Sequence, residues 1–226
     1  MSKTTASIAA LFLVAALAPA PAQQSAPPAP TAPTQQRKTS EPYAGDLSVF
    51  ETPGREQRLE IDRVMDILGI ELGKSVADIG AGSGWFTVRA AKRVGGAGTV
   101  FAVDINPEAI KYIGDRAKKA KLANVKPILS KPDDALLPRN SVDAVLLLKA
   151  YHEVAQPVEL LRNLKPALHP GARLGIIDRN GNGEDHGIDS DVVIREASQA
   201  GYQLLKTYDF VKPDQEDYFL VFTAKD

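Results

Sequence analysis

Cysteine is absent from all 226 residues of the chain. This absence excludes disulfide bonds, metal sites built from thiolates and a lipid anchor on an N-terminal cysteine. The chain also lacks an excess of either charge, because it has 27 basic and 28 acidic residues and a net charge of -1. Since no basic groove can be identified, we expect no nucleic-acid partner.

A long apolar run is missing as well. Ile8 to Ala18 (IAALFLVAALA) holds about eleven apolar residues, whereas a transmembrane helix needs roughly 20. Lys3 precedes this run and the small residues of 20-22 (APA) follow it, in the order of a secretory signal. We therefore predict that residues 1-22 are a signal peptide, that the protein is exported to the periplasm or secreted, and that no membrane insertion persists after cleavage.

The next segment has almost nothing to bury. Residues 23-42 (QQSAPPAPTAPTQQRKTSEP) are mostly Pro, Ala, Gln and Thr, a composition that cannot offset the entropy lost on ordering. We predict a disordered linker at 23-42 and one folded domain at 43-226, a size sufficient for a single hydrophobic core.

Strand and helix patterns alternate through the folded part. Such alternation with short loops predicts an α/β fold with a doubly wound, mostly parallel seven-stranded sheet. The last two strands lack an intervening helix and are predicted to form an antiparallel C-terminal hairpin. Strands are predicted at 75-79, 99-104, 125-129, 144-148, 173-178, 204-211 and 218-223. Helices are predicted at 55-68, 86-94, 107-121, 158-168 and 191-200.

The stretch "DIGAGSGWF" connects the first strand to its helix and predicts a nucleotide-like ligand. A dinucleotide fingerprint requires a third glycine where this chain has Trp85, which argues against a pyrophosphate reader. Asp78, two residues before the first glycine, would repel phosphates but would suit a ligand that carries an ammonium group. Asp104, at the end of the second strand, can accept hydrogen bonds from ribose hydroxyls of either ligand type.

Four segments together resemble the class I S-adenosylmethionine-dependent methyltransferases. They read "VADIGAGSGWFT", "VFAVDINPEAI", "NSVDAVLLLKAYHEV" and "LKPALHPGARLGIID", and they cover Ser75 to Asp178 in order. The leader and "ETPGREQRLEIDRVMDILGI" look most like a subgroup of exported predicted methyltransferases. The resemblance implies a Rossmann-like fold, S-adenosyl-L-methionine as cofactor and methyl transfer.

The resemblance also implies which residues bind the cofactor. Where family members carry an acid in a "GDA" triplet near the adenine amine, this chain reads "SKPDDALLP", so one of two acids takes that role. The implied set is Asp78, Gly80, Gly82 and Gly84 for the methionine part, Asp104 for the ribose, Ile105 for adenine, and Asp133 or Asp134 for the adenine amine.

The loop after the fourth strand is where such enzymes present substrate. His152 and Glu153 are the candidates for a general base or an orienting pair, with Tyr151 beside them. The alternative is that this stretch caps the following helix or covers the sheet edge. We expect a small-molecule acceptor, and the absence of thiolates excludes the arsenite methyltransferases that the core otherwise resembles.

Three further features leave alternatives open. His186, in the polar loop 178-189 (DRNGNGEDHGID), is a candidate to reach the pocket, but we predict no metal site because no ligand spacing recurs on one helix face. Arg55 is a candidate partner of a ligand carboxylate, while Tyr43 and Phe50 before it either close over the cofactor or pack on the sheet.

Two other functions compete with methyl transfer. A non-catalytic protein that binds S-adenosylmethionine or a nucleoside in the cell envelope is the main alternative, because the cofactor is made in the cytoplasm and the leader predicts export. A nicotinamide oxidoreductase is disfavoured by Trp85 and Asp78.

Overall fold

The computed structural model describes Met1, Arg37, Thr39, Tyr43, residues 45-182 and residues 186-225. The predicted signal peptide and most of the predicted linker lie outside these residues, so their boundaries at 22 and 42 stay predictions. Glu184 and Asp185 of the polar loop also lie outside them.

Local sequence signals account for the start of the helix α4 (Pro107–Lys119). It begins after Asn106, whose side chain accepts a hydrogen bond from the Glu108 amide, and Pro107 occupies its first turn. Within the described residues the α-helices are α1 (Arg55–Arg58), α2 (Ile61–Leu68), α3 (Trp85–Val94), α4 (Pro107–Lys119), α5 (Pro157–Leu164) and α6 (Ser190–Gln199). The strands are β1 (Ser75–Ile79), β2 (Thr99–Asp104), β3 (Val125–Leu129), β4 (Val142–Leu148), β5 (Leu168–Asp178), β6 (Tyr202–Tyr208) and β7 (Tyr218–Ala224).

The seven strands form one sheet in the order β3-β2-β1-β4-β5-β7-β6. The pairs from β3 to β5 are parallel, whereas β7 runs antiparallel to both β5 and β6. This confirms the predicted Rossmann-like sheet and its antiparallel C-terminal hairpin. From β1 the chain proceeds outward through β2 and β3 and then returns to place β4 on the other side of β1. The strand order therefore reverses between β1 and β4.

Both faces of the sheet are covered by helices. Alternate strand residues point to opposite faces, so Val76 packs in one core with α2 and α3, while the adjacent Ala77 packs in another core with α5 and α6. The inner strands β1, β2 and β4 are thereby buried on both sides, as expected for a doubly wound sheet, whereas β3 at the edge of the sheet is only partly buried.

The predicted helix 55-68 is wrong as a single helix. It is broken into α1 and α2 at Glu60, whose φ of 48° lies in the left-handed region. The break accompanies a long-range contact, because Arg55 and Arg58 of α1 both donate to the carboxylate of Asp214. Tertiary pairing thus overrides a helical periodicity that the local sequence supports.

Three other predicted boundaries differ from the structure by three residues or more. The helix predicted at 158-168 ends at Leu164, because Pro166 disfavours continuation of the helix and lies instead in a short 3-10 turn. The strand β5 begins at Leu168 rather than 173, and β6 ends at Tyr208 rather than 211.

Gly80 is expected to tolerate alanine much less well than Gly69. Both glycines have similar φ angles, 72° and 71°, so both substitutions carry the left-handed penalty of about 1 kcal/mol or more. A Cβ on Gly80 would lie 2.5 Å from the Cβ of Ala150, whereas a Cβ on Gly69 would meet nothing within 4 Å. Gly80→Ala should therefore lose about 1–3 kcal/mol more unfolding free energy in urea than Gly69→Ala. Equal losses would show that the Ala150 contact is unimportant.

Candidate functional site

The glycine loop lies at the carboxyl edge of the sheet, between β1 and α3. Ligands of open α/β sheets bind at this edge where the strand order reverses, which here is beside β1 and β4. Gly80, Gly82 and Gly84 have φ angles of 72°, 53° and 70°, a region that glycine enters without a Cβ penalty. The loop conformation therefore depends on the three glycines of the DIGAGSGWF motif.

Asp104, the last residue of β2, holds this loop in place. Its Oδ2 accepts a hydrogen bond of 2.8 Å from the Gly82 amide, and its Oδ1 accepts one of 2.9 Å from the Asn106 amide. A carboxylate has about four lone-pair positions, so Asp104 can accept further hydrogen bonds. The structure thus brings two predicted cofactor residues into direct contact.

Asp78 lies beneath the loop and is 2% exposed. The Thr87 hydroxyl donates a hydrogen bond of 2.6 Å to its Oδ2. Burial raises the pKa of Asp78 to about 7, and the nearby negative charge of Asp104 adds to the increase, while the Thr87 hydrogen bond opposes it. The ionised form of Asp78 therefore needs a further positive charge, which a ligand can supply.

The predicted adenine residues are less closely connected. Ile105 is 43% exposed at the edge. The carboxylate of Asp134 accepts a hydrogen bond from the Leu136 amide within its own turn, and the carbonyl of Asp133 accepts one from Asn163. Among the described residues, neither acid bonds to the glycine loop or to Asp104.

The segment before α1 lies over the glycine loop. The ring of Phe50 lies 3.7 Å from the position that a Cβ on Gly82 would take, and it packs edge-to-face on Tyr43. Both rings are partly exposed, so they do not pack into the sheet. The Tyr43 carbonyl accepts a hydrogen bond from the Asn106 side chain, which fixes this segment against the start of α4.

Arg55 is engaged by protein groups in this structure. Its guanidinium lies 4.8 Å from the centre of the Trp85 ring, and its Nε donates a hydrogen bond of 2.9 Å to Asp214. Trp85 itself is buried, and Arg89 covers it at 3.9 Å. The pairing of Arg55 with a ligand carboxylate therefore stays a prediction.

The loops after β4 and β5 are joined by a buried pair, His152 and Asp178. His152 is 4% exposed, and its Nδ1 lies 2.9 Å from both carboxylate oxygens of Asp178. The main-chain amides of His152 and Arg179 also donate to this carboxylate. When His152 is neutral, the hydrogen bond to Asp178 keeps the ring proton on Nδ1. The lone pair of Nε2 then points at the carboxylate of Glu153.

Glu153 joins the second candidate histidine to this pair. The Nδ1 atom of His186 lies 3.1 Å from Oε1 of Glu153, and the rings of His152 and His186 are 6.0 Å apart. The structure therefore brings His152, Glu153 and His186 together, although His186 is 33 positions further along the chain than Glu153.

Tyr151 faces away from these groups. Its hydroxyl donates a hydrogen bond of 2.9 Å to Glu196 of α6, and burial raises its pKa well above the usual value. Arg37 forms an ion pair of 2.6 Å with Glu196 and donates to the Tyr151 carbonyl. Arg37, within the predicted linker, is therefore docked on the domain, and the catalytic role of Tyr151 stays a prediction.

Glu216 is a site residue that sequence reasoning missed. It is 1% exposed, and among the described residues neither of its carboxylate oxygens has a hydrogen-bonding partner, although Lys149 Nζ lies 3.3 Å from Oε1. Burial raises its pKa to about 7, against the opposing charge of Lys149. The signal that could have identified it is its position just before β7, because an antiparallel strand starts at the edge where the parallel strands end.

Comparison with known proteins agrees with this arrangement. Residues 70–205 match the family model described as a methyltransferase domain. The ubiquinone/menaquinone biosynthesis C-methyltransferase UbiE of Citrobacter koseri is 26% identical over 115 residues, which are 50% of this chain and 46% of that protein. A demethylmenaquinone methyltransferase of Listeria welshimeri is 27% identical over 50% of this chain and 48% of its own length. The chain thus spans about half the length of the curated relatives it matches.

Solved structures show the same fold. A SAM-dependent methyltransferase from Aquifex aeolicus superposes with a TM-score of 0.71 at 24% identity and covers 78% of this chain and 95% of its own. The fibrillarin of Aeropyrum pernix, solved with natively bound S-adenosyl-L-methionine, superposes with a TM-score of 0.53 at 15% identity and covers 68% of each chain.

The family model covers more than half of the chain, and it spans β1, the glycine loop, Asp104 and the loops after β4 and β5. The chain therefore belongs to the methyltransferase domain family, within the class I S-adenosylmethionine-dependent methyltransferases.

Proposed function

We propose that this protein transfers the methyl group of S-adenosyl-L-methionine to a small-molecule acceptor at the carboxyl edge of its sheet. The observation that carries the proposal is the glycine loop that Asp104 holds above the buried carboxyl of Asp78. This loop lies where the strand order reverses, next to the polar groups that follow β4 and β5. The cofactor half of the proposed site consists of the glycine loop, Asp78, Asp104 and Ile105. The acceptor half consists of the loops after β4 and β5, and it adjoins the cofactor half.

The residues of the cofactor half fit this cofactor in charge and hydrogen bonding. Asp78 is a buried acid whose ionised form a ligand ammonium would stabilise. Asp104 keeps acceptor positions for ribose hydroxyls, and Ile105 exposes an apolar surface for adenine. The bound cofactor supplies an activated methyl group, and the protein has to orient it and exclude water. A role for Asp133 or Asp134 at the adenine amine stays a prediction.

The acceptor half is formed by the loops after β4 and β5. His152, fixed by Asp178, and Glu153 present a nitrogen and a carboxylate that can take a proton from an acceptor or orient it. The named relatives act in quinone biosynthesis, and a small aromatic or enolic acceptor is compatible with these groups. Because the chain spans only half of those relatives, the proposal is limited to a small-molecule acceptor.

The non-catalytic alternative gains no support from the comparisons. Membership of the exported subgroup and export itself rest on the sequence, and we retain both as proposals. Among the described residues, no helix combines the length and apolar composition needed to cross a membrane.

Replacing Asp104 with Ala should weaken the binding of S-adenosylhomocysteine, the demethylated cofactor. The loss of charge-assisted hydrogen bonds to the ribose predicts a deficit of roughly 1–3 kcal/mol in calorimetry. Asp104 also holds the glycine loop, so the variant loses both loop support and ribose contacts, and a 2′-deoxyribose analogue of S-adenosylhomocysteine separates these two effects. Wild type should bind the analogue more weakly than S-adenosylhomocysteine, and the affinity difference between the two ligands should be smaller in Asp104→Ala. Asp115→Ala, on the exposed side of α4, is the matched control. Unchanged affinity in the Asp104 variant would refute the ribose assignment.

Binding of S-adenosylmethionine should strengthen as pH rises from about 5.5 to 7. The pKa of Asp78 in the free protein is about 7, so at lower pH the cofactor ammonium must displace a proton, and affinity falls by at most about tenfold per pH unit. The Asp78→Asn variant has no titrating carboxyl at this position. It should bind S-adenosylmethionine more weakly than wild type, and its affinity should depend less on pH. Isothermal titration at several pH values measures both profiles. An equally steep slope in the variant would assign the effect to another group, such as Glu216.

His152→Ala should abolish most turnover while cofactor affinity stays within about twofold. General acid–base groups contribute about 10²- to 10⁴-fold, and Asp178→Asn should lower the rate through misorientation of the imidazole. A screen of phenols, enols and amines, read by release of S-adenosylhomocysteine, supplies the acceptor for this comparison. His169→Ala is the control, because His169 pairs with Asp143 elsewhere. Full turnover in His152→Ala would contradict the assignment, and cofactor binding without turnover on any acceptor would favour the non-catalytic alternative.

A further inference from the structure

Three side chains from the loops after β4 and β5 converge on one point. Glu153 Oε1 lies 3.5 Å from Nε2 of His152 and 3.1 Å from Nδ1 of His186. One nitrogen or oxygen atom from each of the three residues lies within 4.8 Å of the other two. Ligands bound at about 2.0–2.2 Å around one ion in a tetrahedral arrangement are about 3.3–3.6 Å apart. The two separations from Glu153 are close to that requirement, and the separation between the two histidines is at most 4.8 Å.

The chemistry of the facing atoms calls for a positive charge between them. Because Asp178 keeps the proton of neutral His152 on Nδ1, the Nε2 atom of His152 carries a lone pair, and this lone pair faces a carboxylate oxygen of Glu153. Two acceptors in this position repel each other unless a cation lies between them. The candidates are a proton on Nε2 and a metal ion, and the 3.5 Å separation is long for an N–H···O bond.

Asp178 supplies the second feature of a metal site. Histidine ligands of metals usually donate their other ring N–H to a carboxylate, which fixes the ring and increases its basicity. The fully buried Asp178 holds the Nδ1 side of His152 in this way, and it is itself oriented by the amides of His152 and Arg179. The partly buried pair of His169 and Asp143 belongs to no such three-residue cluster among the described residues.

The backbone and the exposure of His186 fit a ligand that closes the site. Its φ of 58° lies in the left-handed region, which an L residue rarely adopts outside functional or turn positions. Its carbonyl accepts a hydrogen bond from Arg179, which holds it near the end of β5. His152 is buried and the His186 side chain is 63% exposed, so an ion can enter from the solvent side.

The sequence pattern predicted no metal site, but the structure brings distant residues together, and we propose that His152, Glu153 and His186 bind one divalent transition-metal ion, with Asp178 as the outer partner of His152. Two imidazoles and one carboxylate favour zinc, cobalt or nickel over magnesium, which prefers oxygen ligands. Three protein ligands leave a coordination position open, as in catalytic zinc sites. If the proposed function holds, the bound ion would replace Nε2 of His152 as the group that promotes deprotonation, because an acceptor hydroxyl bound at the open position would lose its proton more readily.

Metal titration of the untagged full chain tests the proposal without any acceptor. Calorimetry with zinc, and visible absorption with cobalt, should show one ion per chain, whereas magnesium should not compete. His186→Ala removes an exposed side chain and should weaken cobalt binding at least tenfold. Glu153→Gln should do the same, and Asp178→Asn should weaken it about 10- to 100-fold. His169→Ala should bind like wild type.

The outcomes separate this proposal from the proposed function. Binding of S-adenosylhomocysteine to His186→Ala should equal that of wild type, because the cofactor half is intact. A folded wild-type chain that takes up no zinc or cobalt would overturn the metal site. The positive charge between His152 and Glu153 would then be a proton on His152. Metal uptake that His169→Ala loses and His186→Ala keeps would overturn it equally.

Discussion

The crowding of carboxylates at one edge of the sheet is the constraint on which the rest of the site depends. Parallel strands end together, and this places Asp78, Asp104 and Asp178 at the same edge, while the antiparallel β7 brings Glu216 there from its start. Asp78, Asp178 and Glu216 are buried and Asp104 is partly buried, and buried acids are unfavourable unless they are hydrogen-bonded or neutralised. The loops around this edge supply hydrogen-bond donors and cationic side chains to the carboxylates. They leave some acceptor positions of the carboxylates open for hydrogen bonds or charges from ligands.

Each acid organises a different part of the edge. Asp104 takes an amide from the glycine loop, Asp78 is left with a pKa of about 7, and Asp178 fixes His152. The first two lie on the side of β1 and β2, where the family resemblance places the cofactor. The third lies beside β4 and β5, where the acceptor is proposed to bind. In the proposed function, the separation of the cofactor side from the acceptor side follows from the reversal of strand order at β1 and β4.

Much of this arrangement could be predicted from sequence, because it depends on local patterns. Apolar runs predicted β1, β2 and β3 with the bounds that the structure has, and the glycine spacing with Trp85 predicted the kind of ligand. The break in the first helix could not be predicted, since it depends on Arg55 bonding Asp214, 159 positions away. The burial of Glu216 was missed for the same reason. The sequence indicated that His186 could reach the pocket but not that it meets His152 and Glu153, because only the strand order brings their loops to one edge.

The central claim is that this edge binds S-adenosylmethionine, and calorimetric titration of the full chain with the cofactor and with S-adenosylhomocysteine tests it most directly. The arrangement of Asp78, Asp104 and the glycine loop predicts that each ligand binds at one site per chain and that the two compete. Folded protein that binds neither ligand would contradict the claim.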